Sequence, residues 1–143
     1  MKKKASIGDI WITLIPKLLI DEDSDTIQVI LEKRPCLIVD DGRGFLIEEN
    51  SNYSGLKLTT RNSRLNKVNR KEIKNWKELG LKKKSYIRVE LPIKIEAQQL
   101  VNKVTTLSPE DLKIYLKELV DYFNIDMLEK IGEEDTNRET IKS

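Results

Sequence analysis

The sequence predicts a mainly β chain with one C-terminal helix (α+β): a small, strongly bent antiparallel sheet or barrel closed by that helix. Three observations carry this. Short runs of Ile, Val, Leu and Thr recur between turn signals along most of the chain. A single strong helical period starts at Ser108. No internal repeat is visible, and 143 residues suit one domain with one core.

Each element has a local reason. Ile7 to Ile15 is β-rich and reads as a first strand ended by Pro16. Pro16 to Thr26, carrying Asp21-Glu22-Asp23-Ser24-Asp25, reads as an acidic loop. Ile27 to Val39 is a second strand region, interrupted by a corner at Lys33-Arg34-Pro35. Proline cannot donate to a sheet ladder, so Pro35 belongs at the start or edge of a strand. Asp40-Asp41-Gly42-Arg43-Gly44 is a hairpin turn, since Asp-Gly supplies the positive φ that a tight turn needs, and Phe45 to Glu48 is its return strand. After a turn from Glu49 to Gly55, Leu56 to Thr60 is a short strand that leads into a basic loop, Arg61 to Arg70.

Lys71 to Leu79 suggests a short helix carrying Trp76 and stopped by Gly80. Lys82-Lys83-Lys84 is a turn, Ser85 to Leu91 an alternating strand, Pro92 to Ala97 an edge strand and Leu100 to Thr105 a short extended piece. Ser108-Pro109-Glu110-Asp111 then places a cap, a proline at the first helical position and acids against the helix dipole. Leu112, Tyr115, Leu116, Leu119, Val120 and Phe123 follow as one apolar face of that helix. The domain is expected over residues 1–124, with 125–143 a polar tail that frays.

Composition removes several chemistries. There is no histidine, so imidazole is excluded as base, proton shuttle or metal ligand. With one cysteine and no histidine a zinc site is close to excluded, whereas Asp/Glu sites for Mg²⁺ are not. The single Cys36 forbids an internal disulfide, fits a reducing cytoplasm and, inside an apolar strand, reads as a core residue rather than a nucleophile. No apolar run is long enough to span a membrane and no signal peptide is expected, because Asp9 and Pro16 break the stretch after the basic start.

The net charge of +2 conceals a strong asymmetry. Lys57 to Arg88 holds twelve Lys/Arg against Glu72 and Glu78, while Leu18 to Asn50 holds nine acids against three bases. A block near +10 is the footprint of a polyanion-binding face. Arg34, its backbone set by Pro35, is a natural group for a phosphate or a carboxylate. The plain structural alternative is a salt bridge from Arg34 to Glu32 or Asp41. Trp11 lies in an apolar strand and reads as core. Trp76, between Lys74 and Lys77, is the better candidate to stack on a base.

Three stretches, in order, resemble the PemK/MazF family of toxin–antitoxin ribonucleases: Gly8-Asp9-Ile10-Trp11, then Lys33-Arg34-Pro35-Cys36-Leu37-Ile38-Val39, then Leu79 to Arg88 followed by Leu107-Ser108-Pro109-Glu110-Asp111-Leu112. The resemblance spans roughly residues 7 to 124. It implies an SH3-like barrel of the MazF/CcdB plasmid-maintenance toxin type, working as a homodimer. It further implies cleavage of single-stranded RNA without a metal or other cofactor, and neutralisation by a cognate antitoxin protein. The family's catalytic Arg of Arg-Pro falls on Arg34 and its Thr or Ser on Thr59. RNA contacts are then expected from Lys33, Thr60, Arg61, Arg64, Lys67, Arg70, Trp76, Lys82, Lys83 and Lys84. The chain departs from the family at Leu91-Pro92-Ile93-Lys94, where members often carry a Gln-x-Arg-Thr-like segment, in the acidic Pro16 to Thr26 segment, and in the basic insert Arg61 to Lys77.

Metal-free cleavage of this kind uses the ribose 2′-OH on the adjacent phosphate. Arg34 suits stabilisation of the added charge, and Thr59 suits orientation; neither is a good general base. Two other classes stay open. One is a non-catalytic nucleic-acid-binding barrel. The other is a protein-interaction toxin of the gyrase-poison type, on fold analogy alone.

Overall fold

The computed structural model describes residues 3–43, 51–60 and 70–124, with Arg70 described by its backbone. Its strands are β1 (Asp9–Asp21), β2 (Thr26–Asp40), β3 (Tyr53–Thr59), β4 (Arg70–Glu72), β5 (Tyr86–Ile95) and β6 (Leu100–Thr106). They form one antiparallel sheet of six strands in the order β4-β5-β3-β2-β1-β6, curled into a half-barrel. One helix, α1, covers residues 109–124. The mainly β, helix-closed class is therefore as expected.

The largest departure is at the first two strands. Pro16 to Thr26 is not a loop. β1 continues through Pro16 to Asp21, turns over four residues and returns as β2, with every position from Ile10↔Leu37 to Asp21↔Thr26 paired. β2 is likewise unbroken at Arg34-Pro35. The prolines instead mark where neighbouring strands stop. β6 pairs with β1 only as far as Thr13, and Pro16 follows. β3 joins β2 only from Cys36, and Pro35 precedes it. Among the described residues no third strand lies beside either proline to receive an N–H, and such edges are where a sheet tolerates them. Beyond those edges the two strands run on as a two-stranded arm.

The other departures are smaller. β3 begins at Tyr53, inside the expected turn. Lys71 to Leu79 is not a helix: its start belongs to β4, and a single helical turn follows. That turn closes as foreseen, with Gly80 at φ +85, its N–H donating to Lys77 O and the Leu81 N–H donating to Trp76 O. Ser85 to Leu91 and Pro92 to Ala97 are one strand, β5. β4 pairs only with Tyr86 to Arg88, so one edge is open at Pro92. The turn at Gly42 takes φ +88 as expected, with the Asp40 carboxylate accepting its N–H at 2.8 Å. The Phe45 to Glu48 strand and the tail from residue 125 lie outside the described residues.

Two apolar clusters hold the sheet, one on each face. Ile10, Leu37, Leu56, Leu58, Ile87 and Val89 pack with Ile73, Leu107 and the helix residues Tyr115 and Leu119. Trp11, Ile15, Cys36, Ile38, Ile95 and Leu100 pack on the other face. The helix starts as read, with Ser108 Oγ accepting the Asp111 N–H at 3.1 Å. Its apolar stripe is only partly used, since Val120 and Phe123 are exposed.

The Gly8-Asp9-Ile10-Trp11 stretch acts as a structural staple. Asp9 is buried, and its carboxylate accepts from the Ser6 N–H (2.9 Å), Trp11 Nε1 (3.2 Å) and Thr106 Oγ1 (2.8 Å), with Lys103 Nζ at 3.6 Å. Burial alone would raise its pKa. The hydrogen bonds from Ser6, Thr106 and Trp11, with the Lys103 charge, outweigh burial and hold it below the usual carboxylate value. One carboxylate thus ties the N-terminal segment, β1 and β6. Gly8 precedes it at φ +96, where an added Cβ would stand 3.2 Å from Leu112 of the helix.

Candidate functional site

The base of the arm meets β3 and β5 in an open hollow of about 440 Å³ lined by Pro16, Lys17, Glu32, Arg34, Lys57, Leu58, Thr59, Thr60 and Arg88. The pleat explains the gathering. Residues opposite one another in a ladder share a face: Thr13 faces Arg34, Cys36 faces Lys57, and alternation carries Thr59 to the same side. Arg34 and Thr59, 25 residues apart in the chain, come from strands joined through β2–β3 pairing and line one cavity.

Among the described residues four cations line the hollow (Lys17, Arg34, Lys57 and Arg88) against one carboxylate, Glu32. Arg34 Nε lies 3.2 Å from Glu32 Oε2, and Lys17 Nζ lies 3.2 Å from Glu32 Oε1. The salt bridge weighed from sequence is therefore present, with Glu32 rather than Asp41; Asp41 pairs with Arg43. Glu32 meets Arg34 through Nε alone, and the Arg34 side chain is 44% exposed, so its guanidinium keeps a face toward solvent. The Lys17 hydrogen bond, followed by that from Arg34, holds the Glu32 carboxyl below its ordinary value. Arg88 Nε donates to Glu90 Oε1 at 2.9 Å, which holds it at the rim.

A second hollow of about 720 Å³ adjoins the first through Arg34 and Thr60. It is lined by Lys33, Lys82, Lys83 and Ser85 along with apolar groups such as Ile12, Pro35 and Leu81. Of the residues expected to contact RNA, Lys33, Thr60, Lys82 and Lys83 thus gather beside Arg34. Lys84 lines neither hollow and pairs with Glu72 at 3.4 Å. Trp76 is half-buried against the main core, with Lys77 Nζ 5.4 Å from its ring centroid, and also lines neither hollow. Arg61, Arg64 and Lys67 lie outside the described residues, and Arg70 contributes its backbone to β4.

The basic block is consequently not one face. Lys71 pairs with Glu118 of the helix, while Lys57, Lys82, Lys83 and Arg88 turn toward the two hollows. Sequence reasoning passed over Lys17, Glu32, Lys57 and Arg88 as site residues. Lys17 was hidden because it lies in what reads as a loop, and Glu32 was weighed only as a salt-bridge partner of Arg34. Lys57 and Arg88 had a usable signal, an alternation that puts each on the face shared with Thr59.

Cys36 is fully buried, and burial pushes its thiol up to about 12, so it is a core group. Among the described residues no group of three His, Cys, Asp or Glu side chains gathers to hold a metal ion, and no helix is long and apolar enough to cross a membrane. A scan against protein-family models and a search of curated proteins return no match to this chain.

Proposed function

We propose that the chain is an RNA-cleaving toxin of PemK/MazF type, an SH3-like barrel of the cytoplasm held in check by a cognate antitoxin protein. The observation that supports this is the hollow in which Arg34, Lys17, Lys57 and Arg88 surround Thr59. Its charge and its open form suit a single-stranded RNA phosphate, which would be flanked by Lys33, Lys82 and Lys83 next door.

In this reading Arg34 offers its outward guanidinium nitrogens to the nonbridging oxygens while Glu32 fixes Nε. Thr59 orients the 2′-OH. Glu32 is the one carboxylate among the described lining residues and takes the 2′-OH proton as O2′ attacks phosphorus. The P–O5′ bond breaks, leaving a 2′,3′-cyclic phosphate, and water protonates the departing 5′-oxygen. A carboxylate held below its ordinary pKa is a weak base, so turnover is slow.

A second reading, a non-catalytic RNA-binding barrel, is favoured by the same Arg34–Glu32 contact, which partly satisfies both groups. One assay separates them. Purified protein is incubated with single-stranded RNA in EDTA, beside substrates carrying single 2′-deoxy substitutions. Cleavage that needs the 2′-OH, persists in EDTA and falls by about a hundredfold or more in Arg34→Ala supports the enzyme. Intact RNA with salt-sensitive binding removes it and leaves the binding module.

A further inference from the structure

The arm presents two unlike faces. Opposite residues of a ladder share a face, so the register sorts them directly. One face carries Ile15 with Glu32, Lys17 with Ile30, Leu19 with Gln28 and Asp21 with Thr26, an ordinary mixture bearing the Lys17–Glu32 ion pair. The other carries Pro16 with Leu31, Leu18 with Val29 and Ile20 with Ile27. All six of these are apolar and all are exposed; Leu18, Ile20, Ile27, Val29 and Leu31 are 62–69% exposed.

Single exposed apolar residues need no explanation, but three successive apolar rungs form a contiguous patch. A two-stranded hairpin in water is marginally stable by itself, and among the described residues no third strand joins the arm. Something else should cover this face.

The charges at its two ends say what. The next rung toward the barrel is Leu14 with Lys33, and Lys33 is exposed. At the far end the turn carries Glu22, Asp23 and Asp25. The ladder is centred on the Leu18–Val29 rung, with Lys33 four residues from Val29 on one side and Glu22 four residues from Leu18 on the other. A two-fold axis through the Leu18–Val29 rung therefore superposes the pattern on its own complement. Ile20 and Ile27 of one copy meet Pro16 and Leu31 of the other, and each acidic tip meets a Lys33. An interface related by a two-fold must be self-complementary in this way.

We propose that the arm is a self-association device, in which two copies of this chain pack their apolar ladders face to face and antiparallel, with each acidic tip on the other copy's Lys33. Six exposed side chains offer on the order of 600 Å² per copy, close to the roughly 800 Å² of a standard interface once the tips are added. An acidic tip repels RNA and anionic lipid, which leaves a protein surface with a matching cation as the occupant. The ladder lies on the opposite pleat face from Arg34, Lys57 and Thr59, so the inference does not rest on the RNA reading; Lys33 alone is common to both, since it also lines the second hollow, and there an acidic tip would compete with RNA for it.

Sedimentation velocity of the full chain over a wide concentration range tests it. A concentration-dependent dimer is expected, weakened about a hundredfold in Leu18→Asp/Val29→Asp with circular dichroism and tryptophan fluorescence unchanged. A charge swap guards against mere loss of apolar surface. Glu22→Lys/Asp25→Lys and Lys33→Glu should each self-associate poorly, while their mixture restores both end contacts and forms the heterodimer. A chain that stays monomeric overturns the proposal, whether its ladder then binds lipid vesicles or nothing. So does a dimer indifferent to the ladder substitutions, or a mixture no tighter than its parts.

Discussion

β1 and β2 are one continuous ladder, yet its two halves occupy opposite environments. Near the barrel, Ile10, Trp11, Thr13 and Ile15 of β1 and Cys36 to Asp40 of β2 are buried. In the arm the same residue types, paired in the same register, stand in solvent. Nothing in the pairing changes along the way. What changes is the company: β6 flanks β1 only to Thr13, β3 flanks β2 only from Cys36, and the core clusters reach no further along β1 than Ile15. An apolar strand residue is thus stabilising or idle according to whether a second layer covers it.

The sharpest way to break this contrast is to remove equal chemistry from the two halves. Leu37→Ala, in the fully buried half, should lower the unfolding free energy by about 2–5 kcal/mol in urea titration, because the core around it cannot collapse into the cavity. An effect comparable to that of an exposed residue would remove the distinction.

Asp9 comes next, since it is the polar counterpart of the buried half. Asp9→Ala leaves the Ser6, Trp11 and Thr106 donors without their acceptor and should cost about 1–3 kcal/mol. Its pH signature has a definite sign. The folded pKa is depressed, so the unfolded chain binds the proton more readily and acid favours unfolding. The Asp9 contribution is complete above the unfolded value of about 4 and is lost as pH falls through the folded value. Stability against pH in that acid range should flatten in Asp9→Asn; an unchanged slope would show that the carboxylate contributes nothing as a charge.

The smallest effect belongs to the arm. Val29→Ala, in protein dilute enough to be monomeric, should change unfolding by less than about 0.5 kcal/mol. A larger loss would mean that the ladder packs within its own chain.

Much of the fold was legible where a local rule is strong. The Ser108 cap, the Gly80 stop and the positive φ at Gly42 are each enforced within a few residues of chain, and each stands where it was read. Pro35 stands at a sheet edge, one of its two expected places, whereas Pro16 misled because it was read as a strand end although proline's rule concerns edges. Pro16 and Pro35 obey the edge rule inside continuous strands. The acidic tip likewise looked like a loop, since no local signal separates a turn with long strands from a loop with short ones. For the candidate site, Arg34, Thr59, Thr60, Lys33, Lys82 and Lys83 were read from sequence and now lie around two adjoining hollows. Lys17, Glu32, Lys57 and Arg88 were not, because they reach that space through strand register.

By itself, the sequence determined the mainly β class, the helix start, the buried inert cysteine and a chemistry without imidazole, all of which depend on residue type and short spacing. Only the tertiary structure decided that Arg34 pairs with Glu32, that the basic block divides between hollows and helix, and that an apolar ladder stands uncovered beside a buried one. Those outcomes turn on which strands lie next to one another, and the free energy of burial or pairing exists only once distant segments have met.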